Sequence, residues 1–197
     1  MLELEVKAVV ADVDALRAAL DRAGAVCAWR GMMRDRRFDH DDRFGARDEV
    51  VRVRAYEGDG PLSTVLGWKG RTVRTPDGLK AREEIELHSP DDAGHAMRLM
   101  DALGFAVVHA IDRRIERWEL GGATLRIEWY PQMDVLLEVE GSASAIDAAI
   151  RATTLPRAAF STDSLATFVA RYRERTGRTA AVSEAELDGR TPPGWGP

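Results

Sequence analysis

The chain has 197 residues and a formal net charge of -5, with 45% hydrophobic and 31% charged residues. These values predict one globular domain and argue against a non-specific nucleic-acid binder, which normally carries a basic surplus. No apolar run approaches the roughly 18 residues of a membrane span, and the N-terminus lacks the layout of a signal peptide, so we expect a cytoplasmic protein with no nucleic-acid or membrane partner. A single cysteine, Cys27, excludes an internal disulfide, and four histidines without zinc-ligand spacing argue against a zinc hydrolase.

The first elements along the chain are predicted to be a strand, a helix and a second strand. Alternating residues place the first strand at about 1–10. The helix is expected to begin after Asp12, which is a good N-cap, and to end at Gly24. A second strand is predicted at about 26–39, and the polar segment 40–49 is predicted to be a loop that connects it to the next strand.

Residues 50–88 show the pattern of short antiparallel strands separated by turns. The turn residues lie at 57–61 and at 75–78. A second helix is expected to follow, with Ser89 as its cap and a buried stripe that reaches Leu103.

The last part of the chain is predicted to contain three more strands and two more helices. The strands are expected at about 106–119, 123–130 and 134–140. Ser144 is expected to begin one helix, and Thr162 or Asp163 the last one. The composition then becomes small, polar and rich in Pro and Gly, which predicts a domain at 1–176 and a flexible tail at 177–197.

Charged residues occupy alternate positions in six of these segments. In the first strand, Glu3, Glu5 and Lys7 share one face because successive side chains of a strand point to opposite sides. The matching faces of later strands carry further carboxylates, at Glu84, Glu86, Glu128, Glu138 and Glu140. They also carry bases, at Arg52, Arg54, Lys69, Arg82 and Arg126, with Lys80 and either Arg113 or Arg114 as further candidates.

About eight alternating strands and four amphipathic helices predict an α+β fold, in which helices pack outside an eight-stranded antiparallel β-barrel. If the charged faces converge, the interior must be wet, internally paired or filled by a charged ligand, because burying unpaired charge is costly. Clustered glutamates favour Mg2+ or Mn2+, and arginine and lysine suit phosphate oxygens, so a triphosphate with a metal satisfies both. The other interpretation is a network of ion pairs on an ordinary solvated sheet, and periodicity alone does not decide between the two.

The order and spacing of these residues resemble the CYTH family of triphosphate tunnel metalloenzymes, which includes class IV adenylate cyclases, thiamine triphosphatases and inorganic tripolyphosphatases. The resemblance covers about residues 1–175 and begins with the family's E-x-E-x-K at residues 3–7. Further matching segments lie at 38–39, 51–54, 67–70, 82–86, 103–105 and 138–140. Glu128 stands where the family usually has an aspartate, ten residues before the final E-x-E.

The resemblance implies a triphosphate tunnel in which acids hold metal and bases hold phosphate. The implied metal ligands are Glu3, Glu5, Glu128, Glu138 and Glu140. The implied phosphate-binding residues are Lys7, Arg52, Arg54, Lys69, Arg82 and one of Arg113 and Arg114. The implied catalytic residues are Glu3, Glu5, Lys7 and Glu138, with Glu84, Glu86 and Arg126 in supporting positions.

The substrate and the reaction stay open at this point. We expect a Mg2+- or Mn2+-dependent triphosphatase that acts on ATP, thiamine triphosphate or tripolyphosphate. A class IV adenylate cyclase, which forms cyclic AMP and pyrophosphate from ATP, is one alternative, and a non-catalytic polyphosphate-binding module is another. The exposed outer faces of the strands are compatible with a homodimer.

Overall fold

The computed structural model of the protein describes residues 2–75 and 80–190, and of residues 2 and 3 it describes the backbone alone. The strands are β1 Leu2–Val9, β2 Val26–Asp39, β3 Val50–Gly58, β4 Ser63–Lys69, β5 Val73–Arg74, β6 Lys80–Ser89, β7 Ala106–Leu120, β8 Ala123–Trp129 and β9 Leu136–Glu140. The helices are α1 Val13–Arg22, α2 Ala93–Ala102, α3 Ala143–Ala152, α4 Leu165–Thr176 and α5 Glu184–Leu187. Most of the turn predicted at 75–78 lies outside the described residues.

Eight strands form the closed antiparallel barrel that the alternating pattern predicts. Their order is β1-β9-β8-β7-β2-β3-β4-β6, and β6 pairs back with β1 to close the ring. The short β5 adds to β6 as an extra strand. Closure leaves each long strand paired on both sides, and it sends one face of every strand into the barrel.

Helices cover the outward apolar faces of the strands. Leu16 and Leu20 of α1 and Ile146 of α3 lie in one buried cluster with outward residues of β1, β7, β8 and β9. On the other side of the barrel, Met100 of α2 packs against Phe38 of β2 and neighbouring residues of β3 and β4. Within residues 2–75 and 80–190, no helix has the length and apolarity to cross a membrane.

Helix α4 lies across one end of the barrel rather than along its side. Phe168 packs against Ile111 of β7, Leu136 of β9 and Tyr130, which directly follows β8. The backbone of Ala181 pairs with Gln132, and residues 180–183 are buried. The first part of the predicted tail is therefore packed against the same end of the barrel, while residues 191–197 lie outside the described residues.

The second helix begins later than its sequence predicts. Asp92, not Ser89, is the N-cap of α2, and its carboxylate accepts a hydrogen bond from the Gly94 amide at 2.5 Å. Ser89 instead accepts a hydrogen bond from the Asp91 amide and stabilises the turn before the helix. Leu103 was predicted to be buried, but it lies just past the last helical residue and is 61% exposed.

The caps of the last two long helices also differ from prediction. Ser142 caps α3, two residues before the predicted Ser144. Ser164 caps α4, whereas Thr162 and Asp163 contact arginine side chains of β5 and α4. Several candidate caps lie close together in each segment. Only the residue that has an extended backbone and directly precedes the first turn can accept a hydrogen bond from a backbone amide of that turn.

The packing of α1 on the barrel leads to a test of the fold. Leu20→Ala should lower the free energy of unfolding by about 2–5 kcal/mol, because it leaves a cavity in a fully buried site. Leu99→Ala on α2, where the side chain is half exposed, should change it by less than about 1 kcal/mol. Urea unfolding followed by circular dichroism measures both, and equal losses would contradict this packing.

Candidate functional site

The barrel encloses a cavity of about 590 Å³ that reaches the α4 end. Among the described residues that line it, ten side chains are basic: Lys7, Arg37, Arg52, Arg54, Lys69, Lys80, Arg82, Arg113, Arg126 and Arg173. Seven are acidic: Glu5, Asp35, Asp48, Glu84, Glu128, Glu138 and Glu186. The lining therefore carries a surplus of three positive charges, although the whole chain has a net charge of -5.

Three of the predicted metal ligands come together on β1 and β9. The strand register places Glu5 opposite Glu140 and Lys7 opposite Glu138. One carboxylate oxygen from each of Glu5, Glu138 and Glu140 lies within 4.8 Å of the others. Carboxylate oxygens are the donors that hard divalent cations prefer, so the donor set suits Mg2+ or Mn2+. The side chain of Glu3 lies outside the described residues.

Lysines and an arginine hold these carboxylates in their ionised form. The Lys7 ammonium lies 3.2 Å from Glu5 and 2.5 Å from Glu138, and Lys80 lies 2.6 Å from Glu5. Arg126 donates to both Glu138 and Glu140. Burial alone would raise the pKa of Glu5, but the nearby lysines outweigh burial and lower it to about 2. The pKa of Glu138 is also lowered, by Arg126 and Lys7 despite burial, so Glu5 and Glu138 are ionised at neutral pH and can ligate a cation.

Glu128, the residue that replaces the usual aspartate, is buried in the cavity beside the three-carboxylate group but is not a member of it. It accepts a hydrogen bond from the Tyr130 hydroxyl at 2.6 Å, and Arg113 lies 3.2 Å away. Burial and the Glu128 charge raise the pKa of Tyr130 well above its usual value. Tyr130 stays protonated and continues to donate to Glu128.

An acid that the sequence reasoning missed, Asp35, orders two of the predicted phosphate-binding residues. Its carboxylate lies 2.7 Å from the Arg54 guanidinium and 3.0 Å from Arg113. Burial would raise the pKa of Asp35, but the two guanidiniums hold it far below its usual range. The sequence contains a pattern that identifies Asp35, because Asp35 and Arg37 occupy alternate positions of β2 and therefore share one face.

The supporting acids of β6 hold cations of the neighbouring strands. Arg52 lies 3.0 Å from Glu86 and 3.5 Å from Glu84, and Lys69 pairs with Glu84. Arg82 donates to the carbonyl oxygen of Gly70 at 2.6 Å. The predicted cations of β3, β4 and β6 thus all line the same cavity as the acids.

The structure distinguishes between the two adjacent arginines of β7. Arg113 is buried and faces the cavity. Arg114 lies on the outer surface, where its guanidinium stacks 4.0 Å from the Trp129 ring centre. Arg114 is therefore not placed to bind phosphate inside the barrel, because neighbouring residues of a strand face opposite sides.

Arg37 is a second residue that the sequence reasoning missed. Its guanidinium lines the cavity, and among the described residues no carboxylate is within ion-pair distance of it. Burial and three neighbouring arginines lower the pKa of Arg37 to about 10, although Asp35 opposes the shift. A partly buried cation with three cationic neighbours favours an anionic ligand.

Comparison with known proteins agrees with this geometry. A CYTH domain model matches residues 1–165. The chain belongs to the CYTH family. The structure of this CYTH protein is similar to the PH1819 protein from Pyrococcus horikoshii, with 21% identity, a TM-score of 0.66 and coverage of 89% of this chain and 99% of that one. No curated protein matches the sequence significantly.

Two further solved structures share the fold of this CYTH protein. A candidate adenylate cyclase from Vibrio parahaemolyticus has 12% identity and a TM-score of 0.68, covering 86% of this chain and 98% of that one. A candidate adenylyl cyclase from Hippeastrum, in which triphosphatase activity is dominant, has 12% identity and a TM-score of 0.55, covering 96% of each chain. At these identities the likeness shows the fold alone.

Arg37 allows a test of anion binding that does not disturb the ion pairs. Arg37→Gln should weaken tripolyphosphate binding about tenfold or more, because a hydrogen bond to a charged group contributes about 1.5–3 kcal/mol. The melting temperature of this variant should stay the same or rise, since the substitution removes a partly buried cation whose charged form is disfavoured. Arg114→Gln on the outer surface is the control and should bind as the wild type does. Calorimetry measures binding, and equal affinities for all three proteins would contradict this role of Arg37.

His109, which faces the cavity next to Arg37, predicts a pH effect on stability. Burial and then Arg37 lower the pKa of His109 from 6.5 to about 4. As the pH falls through this range, the unfolded chain binds a proton that the folded protein does not, so the free energy of unfolding decreases. His109→Gln should therefore lose less thermal stability between about pH 7 and pH 4 than the wild type. His95→Gln, at an exposed site on α2, should keep the wild-type slope, and a wild-type slope in His109→Gln would contradict the assignment.

Proposed function

We propose that this CYTH protein is a divalent-metal-dependent hydrolase of triphosphates. The observation that carries the proposal is one cavity in which a group of three carboxylates adjoins a lining with more cations than acids. Carboxylates alone would suit many cations, and arginines alone would suit many anions. A triphosphate with its metal needs both in contact, and the arrangement provides both.

The cations of the barrel wall would bind and orient the phosphate chain. Arg52, Arg54 and Arg113 present guanidiniums from β3 and β7, and Lys7 and Lys69 present ammonium groups from β1 and β4. Phosphoryl transfer is accelerated mainly by positioning and by stabilising negative charge on the transferring group and the leaving group. Acids on the same wall already hold these cations in place, so little reorganisation is needed when the phosphate arrives.

The three carboxylates, Glu5, Glu138 and Glu140, would hold the divalent cation, with Glu128 and Glu3 as further candidates. The cation would supply additional positive charge to the phosphate oxygens. Glu5 and Glu138 have pKa values below their usual range, so at neutral pH they act as ligands and not as proton donors. Lys7, whose pKa is raised above its usual value by Glu138 and Glu5 despite burial, stays charged and bridges the two acids to the substrate.

Proteins of similar fold include one with triphosphatase activity and one that is a candidate cyclase, so the fold alone does not choose between the two reactions. The Hippeastrum protein has dominant triphosphatase activity, and the Vibrio protein is a candidate adenylate cyclase. Hydrolysis needs only the phosphate-binding and metal-binding groups described above. Product chromatography after incubation with ATP, thiamine triphosphate and tripolyphosphate in Mg2+ or Mn2+ tests the proposal. Released orthophosphate is expected, and cyclic AMP as the main product would favour the cyclase instead.

Acid variants test the metal site directly. Glu5→Gln and Glu138→Gln should each lower metal-dependent turnover by about a hundredfold or more, because each removes one ionised ligand. Glu83→Gln is the matched control, since Glu83 lies on β6 beside Glu84 but is exposed on the outer face.

Two further measurements keep that test interpretable. Circular dichroism should show that each variant folds, and calorimetry in EDTA should show that tripolyphosphate still binds. Wild-type turnover in both acid variants would contradict the assigned metal site. Tight binding without turnover of any triphosphate by the wild type would point to a non-catalytic binding module.

A further inference from the structure

We propose that Glu128 is a positioning residue for the Arg113 guanidinium and not a ligand of the divalent cation, and that the Tyr130 hydroxyl holds Glu128 in this orientation. The inference rests on the proposed function, because it takes Arg113 as one of the groups that bind phosphate. It removes Glu128 from the candidate metal ligands. It also adds Tyr130, which lies outside the segments that match the family, to the site.

The pairing of β8 with β9 separates Glu128 from the three-carboxylate group. Glu128 lies opposite Leu136, and Glu138 lies opposite Arg126, two residues away along each strand. Leu136 belongs to the buried cluster that contains Phe168 of α4, so Glu128 is displaced from Glu138 toward α4. This displacement agrees with the absence of Glu128 from the group of described carboxylates whose oxygens lie within 4.8 Å of one another.

Both carboxylate oxygens of Glu128 face groups other than the three carboxylates. Oε2 accepts a hydrogen bond from the Tyr130 hydroxyl at 2.6 Å. Oε1 lies 3.2 Å from Nε of Arg113. Glu128 is only 1% exposed, so bulk water hardly competes for these contacts. The hydroxyl and the guanidinium therefore decide where the carboxylate points.

Packing makes the Tyr130 hydroxyl a fixed donor. Tyr130 is buried, and its ring lies in one cluster with Ile111, Leu136 and Phe168. The ring centre is also 5.9 Å from the guanidinium carbon of Arg113. A ring that is packed on these sides keeps its hydroxyl in one place, and a hydrogen bond to an ionised carboxylate is stronger than one between neutral groups. The Tyr130 hydroxyl thus holds Glu128 on the α4 side.

Arg113 is held between two carboxylates as a result. Its Nη2 donates to Asp35 at 3.0 Å, while its Nε faces Glu128. Asp35 also accepts a hydrogen bond from Nε of Arg54 at 2.7 Å, so one chain of contacts runs from Tyr130 to Arg54. A guanidinium binds phosphate oxygens through a rigid planar set of donors, and its orientation therefore affects how well it binds them. Loosening Glu128 should weaken phosphate binding through Arg113.

The binding of Mn2+ alone separates a positioning residue from a metal ligand. Calorimetry compares the wild type with Glu128→Gln and Glu138→Gln. Glu138→Gln should weaken Mn2+ binding about tenfold or more, whereas Glu128→Gln should weaken it by less than about threefold. Loss of Mn2+ affinity in Glu128→Gln as large as that in Glu138→Gln would overturn the inference.

Tripolyphosphate binding in EDTA tests the action of the hydroxyl on Arg113. Tyr130→Phe keeps the ring and every charge, and calorimetry should show binding weakened about threefold to tenfold. Tyr172→Phe removes the hydroxyl of a buried tyrosine of α4 that does not line the cavity, and this control should bind as the wild type does. Wild-type affinity in Tyr130→Phe would overturn the inference.

A double-mutant cycle shows whether the hydroxyl acts through Arg113. Added to Arg113→Lys, Tyr130→Phe should change tripolyphosphate affinity by less than about twofold, because the guanidinium that it orients is already gone. The full effect of Tyr130→Phe in that background would also overturn the inference. Melting temperatures show that each variant folds. Split effects on Mn2+ and tripolyphosphate binding in a protein that hydrolyses no triphosphate would instead support the inference and contradict the proposed hydrolysis.

Discussion

The barrel depends on ion pairs between the charged side chains that strand alternation directs into its interior. Lys7 and Arg126 each bridge two carboxylates, and Asp35 bridges two guanidiniums. Each of these ions would be costly to bury alone, and each is stabilised by partners on adjacent strands. The same contacts fix the side chains in the positions where a phosphate chain and a cation would meet them.

The positive and negative charges inside the barrel do not cancel completely, and the positive excess indicates what the cavity binds. The lining has more cations than acids, and Arg37 has no acidic partner within ion-pair distance among the described residues. An interior that served stability alone would gain from a balanced set of charges. The local surplus of positive charge in an acidic protein is better explained by an anionic ligand that completes the network when it binds.

Much of this arrangement could be predicted from the sequence, because strand parity decides which side chains share a face. Alternation along β1 and β9 predicts that Glu5, Glu138 and Glu140 share one interior, and in the structure they form one group. Where both faces of a strand carry charges, alternation alone does not show which face points into the barrel. On β7 the outward face also carries charges, so the inward Arg113 could not be separated from Arg114, and on β2 outward arginines obscured Asp35 and hence its role. Cap positions and the packing of residues 180–183 depend on tertiary contacts that no local pattern contains.

Diffraction from crystals grown with tripolyphosphate and Mn2+, measured at the manganese absorption edge, tests the central claim most directly. The account predicts an anomalous peak bounded by Glu5, Glu138 and Glu140, with phosphate density running along the arginines and lysines of the barrel wall. A manganese peak away from these carboxylates, or an anion bound only on the outer surface, would contradict it.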